Sequence, residues 1–191
     1  MSKIEPVEFV LPHPLHPKQE QFFLAALSGR HRIVAFVAGR QSGKSIRVGS
    51  EITTAMGRKR IEDVLTGDLV YSLDVNTHKI VLSRVLEVID RGVIAPAYRI
   101  DTYGGRSITV SKEHPFYTPE HGWRMAFFLS AADMIGVPNP SMNHLLWDRI
   151  SLMTLVPGVQ MYDLVVEETE NFIANDIFVH NSTVGAITLA T

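Results

Sequence analysis

The chain has 191 residues, a formal net charge of -2 and no cysteine. The length allows one good hydrophobic core, or one domain with additional segments. The near-neutral charge argues against generic nucleic-acid binding, because no excess of basic side chains is available to replace phosphate counterions. The lack of cysteine excludes disulfides, thiolate metal sites and a cysteine nucleophile, so any side-chain nucleophile must be an oxygen.

Membrane and metal-binding functions are not indicated. No apolar run approaches the roughly 20 residues that a membrane-spanning helix needs, and the N-terminus lacks a signal-peptide pattern. We therefore expect a soluble, cytoplasmic protein without membrane contact. The histidines lack the paired spacing of a helical zinc site, so no metal is predicted.

The N-terminal segment has the layout of a phosphate-binding loop. A helical pattern at residues 17–29 is followed by an apolar strand at residues 31–37. Residues 38–45 then read Ala-Gly-Arg-Gln-Ser-Gly-Lys-Ser. In such a loop, backbone N–H groups and the lysine bind phosphates, and the hydroxyl binds magnesium.

The helix that should follow this loop is found only at the end of the chain. Residues 46–54 alternate and are rich in β-branched side chains, which predicts a strand. Joining Lys44 to Ser182 gives a better phosphate loop, which runs into a small apolar segment of helical character. The chain therefore divides into a first flank (1–44), an insertion (45–181) and a second flank (182–191), with junctions at the Lys44–Ser45 and Asn181–Ser182 bonds.

The insertion is predicted to be an all-β module. Short strand patterns separated by turn residues lie at 67–74, 79–92, 97–103, 106–111, 149–156, 161–167 and 171–180. Helical content is limited to single turns at 60–65 and 129–134. Residues 137–143 contain two prolines and two asparagines and indicate a loop.

The last strand pattern is typical of a hairpin that ends at the second junction. Asn175-Asp176 is a turn pair able to adopt positive φ between two apolar arms. The second arm ends in His180-Asn181-Ser182. The Asn181 amide could attack its own main-chain carbonyl and cut the chain, with His180 giving the departing amine its proton. The alternative is a strand end with a deamidation-prone asparagine.

Four motifs, in order, resemble those of inteins, which are self-splicing elements of the Hedgehog/intein fold. The matching segments are Ser45–Ser50 with Ile61–Val70 (opening), Gly105–Pro115 (the central Thr-x-x-His block), Tyr162–Val166 and Asn171–Asn181 (closing). Ser111 stands where most members have threonine, Asp176 where glycine is common, and Ser45 where cysteine is more usual. The resemblance implies a compact, horseshoe-like, mainly β module. The insertion is too short for a homing endonuclease, so it resembles a mini-intein.

The resemblance also implies a three-step excision of residues 45–181 without cofactor, metal or partner. The first residue of the insertion would attack the Lys44 carbonyl, Ser182 would attack the resulting ester, and Asn181 would cyclise. The implied catalytic residues are Ser45, Ser111, His114, Asp163, His180, Asn181 and Ser182. His114 and Ser111 would serve the first step, Asp163 the second as a base or an electrostatic group, and His180 the third.

The flanks resemble the N-terminal part of a phage terminase large subunit, the ATPase of DNA packaging. This implies a phage-encoded protein in a bacterial cytoplasm that uses ATP and Mg after splicing and acts with DNA and other packaging components. Its nucleotide-binding residues would be Gly39, Arg40, Gln41, Ser42, Gly43, Lys44, Ser182 and Thr183. Two alternatives remain open: a phosphate-loop NTPase fragment with a non-catalytic β insertion, and a non-catalytic β binding module.

Overall fold

The structure is a computed structural model that describes residues 44–181. The predictions for the two flanks, including the helix at 17–29, the strand at 31–37, the phosphate loop before Lys44 and the C-terminal helix, lie outside the described residues. Among the residues that are described, no helix is long and apolar enough to cross a membrane.

The insertion consists of short antiparallel strands, as predicted. The strands are β1 (Ile46–Arg47), β2 (Glu51–Thr54), β3 (Gly57–Arg60), β4 (Leu69–Asp74), β5 (Lys79–Ile94), β6 (Ala97–Thr102), β7 (Ser107–Ser111), β8 (Pro115–Thr118), β9 (Gly122–Met125), β10 (Met134–Pro138), β11 (Leu145–Val156), β12 (Val159–Val166), β13 (Asn171–Ala174) and β14 (Ile177–His180). The helical parts within this range are two 3-10 turns, at Ile61–Asp63 and Ala126–Phe128. The first of them confirms the turn predicted at 60–65.

The strands form a sheet that curls back on itself. Hydrogen-bonded neighbours follow the order β10-β11-β6-β7-β1-β12-β5-β4-β2-β13-β14-β8-β9, and β3 pairs with β2. Strand β10, at one end of this order, also packs against β8 and β14, near the other end. The result is a curled half-barrel, which confirms the predicted mainly β, horseshoe-like fold.

Strand β5 joins the two halves of the sheet. Its first residues pair with β4, from Lys79 opposite Asp74, and its later residues pair with β12, as far as Ile94 opposite Val159. The β5–β12 register shifts twice, and such bulges bend and twist a strand. Because β12 also pairs with β1, this arrangement brings the first junction next to the centre of β12.

The β13–β14 hairpin is buried on both faces. Phe172 and Val179 belong to the main hydrophobic core, whereas Ile173 and Phe178 pack with Leu73 in a second cluster. Side chains alternate between the two faces of a strand, so the hairpin separates the two clusters. Burial on both faces fixes the path of the strand that carries the second junction.

Two local predictions are wrong in detail. The helical turn predicted at 129–134 is absent, because Asp133 accepts hydrogen bonds from both the N–H and the hydroxyl of Ser130, which closes a turn without a helix. The loop predicted at 137–143 begins later, since residues as far as Pro138 pair with β11. The remaining loop is closed by the Asn139 N–H, which donates to the His144 carbonyl at 2.9 Å.

Candidate active site

The turn of the β13–β14 hairpin is held in place by contacts from other strands. Asn175 and Asp176 have φ values of 48° and 58°, which confirms the predicted turn pair. The Asn175 side chain accepts the Glu51 N–H at 2.7 Å and donates to the Ser107 carbonyl at 2.8 Å. With the turn fixed, Asn171 pairs with His180, so the strand end that carries the second junction has a defined register.

At the first junction, the nitrogen of the Lys44–Ser45 peptide bond is held by Ser111. The N–H of Ser45 donates to Ser111 Oγ at 3.0 Å, and the N–H of Ser111 donates to the Ser45 carbonyl at 3.0 Å. The Ser45 side chain is fully buried, and its Oγ makes no hydrogen bond to another residue within 44–181. Turning this hydroxyl toward the Lys44 carbonyl therefore breaks no hydrogen bond to the described residues.

His114 is a buried, neutral imidazole close to this junction. The backbone N–H of His114 donates to the Ser111 carbonyl at 3.0 Å, and the His114 ring packs against Phe116. Neither ring nitrogen has a hydrogen-bond partner in the described part of the chain. Burial, with smaller contributions from the charges of His180 and Lys44, lowers the pKa of His114 to about 3. The ring is therefore uncharged at physiological pH and able to accept a proton.

Asp163 lies on β12, beside the start of β1. Ile46 pairs with Tyr162, so continuing the antiparallel register by one residue places Ser45 opposite Asp163. The Asp163 side chain is fully buried, and its Oδ2 accepts a hydrogen bond from Arg91 Nη2 at 3.1 Å. A charged side chain is seldom buried without a partner, and here the guanidinium supplies one.

The second junction is held by three hydrogen bonds. His180 Nδ1 lies 2.7 Å from the carbonyl oxygen of Asn181, which belongs to the peptide bond at this junction. The Asn181 N–H donates to the Glu170 carbonyl at 2.9 Å, and its Nδ2 donates to the Val166 carbonyl at 3.1 Å. An N–H at His180 Nδ1 is thus placed to polarise the carbonyl. This is a different contact from the predicted donation to the departing amine.

Electrostatic contacts connect the two junctions. Burial lowers the pKa of Lys44, and the charges of Asp163 and Glu170 oppose that shift. The positive charge of the Lys44 ammonium in turn helps to lower the pKa values of both His114 and His180. The backbone carbonyl of Glu170 also accepts the Asn181 N–H. Glu170 therefore interacts with both Lys44, the residue before the first junction, and Asn181 at the second junction.

The structure thus collects the predicted site residues that it describes around one buried centre: Ser45, Ser111, His114, Asp163, His180 and Asn181. Ser182 and the phosphate-loop residues other than Lys44 lie outside the described residues. Sequence reasoning missed Arg91 and Glu170. Arg91 lies within a long strand pattern and Glu170 in a turn, and neither carries a local signal that separates it from an ordinary surface charge.

The lowered histidine pKa values predict a loss of stability in acid. The pKa of His114 is about 3 in the folded chain and about 6.5 unfolded, so the unfolded state binds the proton first as pH falls. The contribution of neutral His114 to the free energy of unfolding is therefore complete above pH 6.5 and is lost toward pH 3. Burial also lowers the pKa of His180, which acts in the same direction. The test is urea unfolding of a Ser45→Ala/Asn181→Ala chain at about pH 7 and about pH 4.5. Adding His114→Phe should reduce the fall in the free energy of unfolding between these pH values by about 2 kcal/mol. An unchanged pH dependence would contradict this assignment.

Comparison with known proteins agrees with the fold. The family model described as intein splicing domain matches residues 52–181. A variant of the Ssp DnaB mini-intein is 31% identical with a TM-score of 0.69, over 76% of this chain and 98% of that one. A DnaB intein from Synechocystis is 30% identical with a TM-score of 0.68, over 73% and 99%. The DnaX mini intein from Spirulina platensis is 25% identical with a TM-score of 0.65, over 72% and 100%. Among curated protein sequences, none matches.

The curled, mainly β fold and the buried junction site define a module of the Hedgehog/intein class. The chain belongs to the intein splicing domain family, whose activity is autocatalytic protein splicing. The solved structures it resembles include mini-inteins, which agrees with the size of the insertion.

Proposed function

We propose that the chain excises residues 45–181 and joins Lys44 to Ser182 without cofactor or partner. The observation that carries this proposal is the convergence of both junctions on one buried site. The Ser45 N–H donates to Ser111 Oγ, three residues before His114. Val179 pairs with Phe116, so continuing this antiparallel register by two residues places Asn181 opposite His114. Each attack is then intramolecular. Well-oriented groups can reach effective concentrations of about 10⁵–10⁸ M.

In the first step, Ser45 Oγ attacks the Lys44 carbonyl carbon. The Oγ–C bond forms, the C–N bond breaks, and an ester replaces the amide. Neutral His114 takes the hydroxyl proton and returns it to the departing nitrogen, which Ser111 holds through its hydrogen bond at 3.0 Å. Because burial lowers the pKa of His114, the ring favours passing the proton on to the nitrogen over keeping it.

In the second step, Ser182 Oγ attacks the ester carbonyl and transfers the first flank to its own side chain. Asp163 acts here as a carboxylate, which either takes the Ser182 proton or stabilises a charge that develops in the site. Its support is full burial beside the start of β1 together with a bound guanidinium. The Ser45 hydroxyl is released and regains a proton, and the chain is now branched at Ser182.

In the third step, Asn181 cuts the chain after itself. Its Nδ2 attacks its own carbonyl carbon, a succinimide forms, and the Asn181–Ser182 bond breaks with a proton passing to the Ser182 nitrogen. His180 supports this step by polarising the carbonyl, from which its Nδ1 lies 2.7 Å away. The released Ser182 amine then attacks the ester carbonyl and converts the ester into the more stable amide.

The products of the chain test this proposal directly. Intact-mass measurement after expression should find one species for residues 45–181, ending in a succinimide or its hydrolysis product, and one for the joined flanks. Tandem mass spectrometry of the second species should show Lys44 followed by Ser182. Cleaved but unjoined flanks as the final products would count against splicing and favour simple hydrolysis.

We also propose that the two flanks belong to a phage terminase ATPase that is completed by splicing. The support is the phosphate-loop sequence formed when residues 38–44 meet Ser182 and Thr183. The insertion separates the lysine from Thr183 and from the segment of helical character that would complete the phosphate site. The uncut Ser45→Ala/Asn181→Ala chain should therefore not bind Mg-ATP with ordinary affinity in calorimetry, and micromolar binding by that chain would contradict the proposal.

A further inference from the structure

A buried ion pair connects Asp163 to strand β5, and none of the steps above uses its cationic partner. Arg91 Nη2 lies 3.1 Å from Asp163 Oδ2, and the exposed fractions of the two side chains are 13% and 0%. We propose that Arg91 is a positioning residue for splicing, which keeps Asp163 ionised and oriented throughout the reaction. This inference rests on the role of Asp163 proposed above.

The backbone of β5 is shaped to aim Arg91 at this site. Met161 pairs with Gly92 and Tyr162 with Asp90, so Arg91 is the extra residue of a β-bulge. Gly92 has a φ of 70°, and its N–H donates to the Asp90 side chain at 2.8 Å, which stabilises the bulge. Bulges redirect side chains next to active sites. Arg91 lies two residues from Ile89, which is the pairing partner of Asp163.

The charges around Asp163 explain why a fixed cation is needed. Burial favours the neutral acid, and an adjacent positive charge favours the carboxylate. The charged groups that act on this carboxylate include the Arg91 guanidinium from β5 and the Lys44 ammonium ahead of β1. The Glu170 carboxylate acts on the same Lys44 ammonium, and that ammonium in turn contributes to the lowered pKa of His114.

These two cations differ in one respect that matters for the reaction. The carbonyl of Lys44 is transferred first to Ser45 and then to Ser182, so Lys44 moves and finally leaves with the ligated flanks. Arg91 belongs to the excised module and remains in place during every step. Arg91 can therefore stay at hydrogen-bond distance when Asp163 acts in the second step.

The ionised form is required for either role of Asp163. A carboxylate can take the Ser182 proton, and a carboxylate can stabilise positive charge, whereas the neutral acid does neither. Without Arg91, burial should favour the neutral acid more strongly, so a larger share of the carboxylate should form only as pH rises. A merely structural arginine would instead affect splicing equally at each pH.

Four variants of the full chain test this inference: Arg91→Met, Arg91→Lys, Asp163→Asn and Arg91→Met/Asp163→Asn. Splicing is followed by intact mass after cell-free synthesis, at about pH 7 and about pH 9. Arg106→Met serves as the matched control, because it removes a guanidinium from another largely buried ion pair, with Asp148, that includes none of the proposed site residues.

Arg91→Met should splice at least about tenfold more slowly than the original chain at pH 7 and recover most of that loss at pH 9. Arg91→Lys, which keeps the charge, should retain most of the rate, and Arg106→Met should show no alkaline recovery. A loss in Arg91→Met that is the same at both pH values, or no loss at either, would overturn the proposal.

The double variant shows whether misfolding explains a slow rate in Arg91→Met, because it removes both charges of the pair and leaves neither buried alone. Adding Arg91→Met to Asp163→Asn should slow splicing by less than about threefold. A further tenfold loss there would show that Arg91 acts independently of Asp163 and would overturn the inference. If Asp163→Asn alone splices at the original rate, the proposed role of Asp163 fails. If Asp163→Asn is slow but Arg91→Met is not, only the role of Arg91 fails.

Discussion

Asn181→Ala should abolish release of residues 45–181 while leaving the chemistry at the first junction intact. The alanine has no side-chain amide to form a succinimide, so no group remains to cut the second junction. The precursor should persist in equilibrium with its esters. Hydroxylamine, which attacks esters, should release residues 1–44 from this variant, as mass spectrometry would detect. Thiols should not be required, because the nucleophiles are serine oxygens and the chain has no cysteine.

Asn76→Ala is the matched control for this experiment. Asn76 is an exposed turn residue whose N–H is bound by Asp74, and it lies far along the chain from both junctions. This control should splice like the original chain. Liberation of residues 45–181 from Asn181→Ala would show that another group cuts the second junction.

His114→Ala should slow the first step by about 10²–10⁴-fold, the usual contribution of a positioned general acid or base. This corresponds to about 3–5 kcal/mol of lost transition-state stabilisation. Cleavage at the second junction should continue, because His180 and Asn181 are held by their own hydrogen bonds at 2.7, 2.9 and 3.1 Å. The readout is the ratio of hydroxylamine-released flank to cleavage after Asn181.

His144→Ala provides the control for this prediction, since His144 is an exposed loop histidine. It should leave both junctions unaffected. If His114→Ala reduced reaction at both junctions by the same factor, the cause would be loss of the fold. If it reduced neither, His114 would have no part in the first step.

The parts of the fold that could be predicted are those with a local physical cause. The β13–β14 hairpin follows from a turn pair that tolerates positive φ, and the structure places both residues there. The absence of cysteine narrows the nucleophiles to oxygen before any fold is known. The short strands follow from alternating and β-branched segments bounded by turn residues.

The parts that could not be predicted depend on contacts between distant residues. Arg91 and Asp163 are 72 positions apart, and their ion pair depends on a bulge that no local pattern in β5 reveals. The lowered pKa of His114 likewise arises from packing, chiefly burial of its ring in the core. The sequence predicts a loop from residue 137, whereas β10 extends to Pro138, because its pairing with β11 outweighs the turn preference of Pro138.

Transfer of the first flank onto Ser182 is the event that requires the two junctions to lie side by side. The most direct test is to digest the Asn181→Ala chain with pepsin in acid, where the ester survives, and to locate the Lys44 carbonyl by tandem mass spectrometry. We predict a peptide pair in which Lys44 is esterified to Ser182 Oγ, and its loss when Ser182 is replaced by alanine. Finding the Lys44 carbonyl attached only to Ser45, in protein that is folded, would contradict the account.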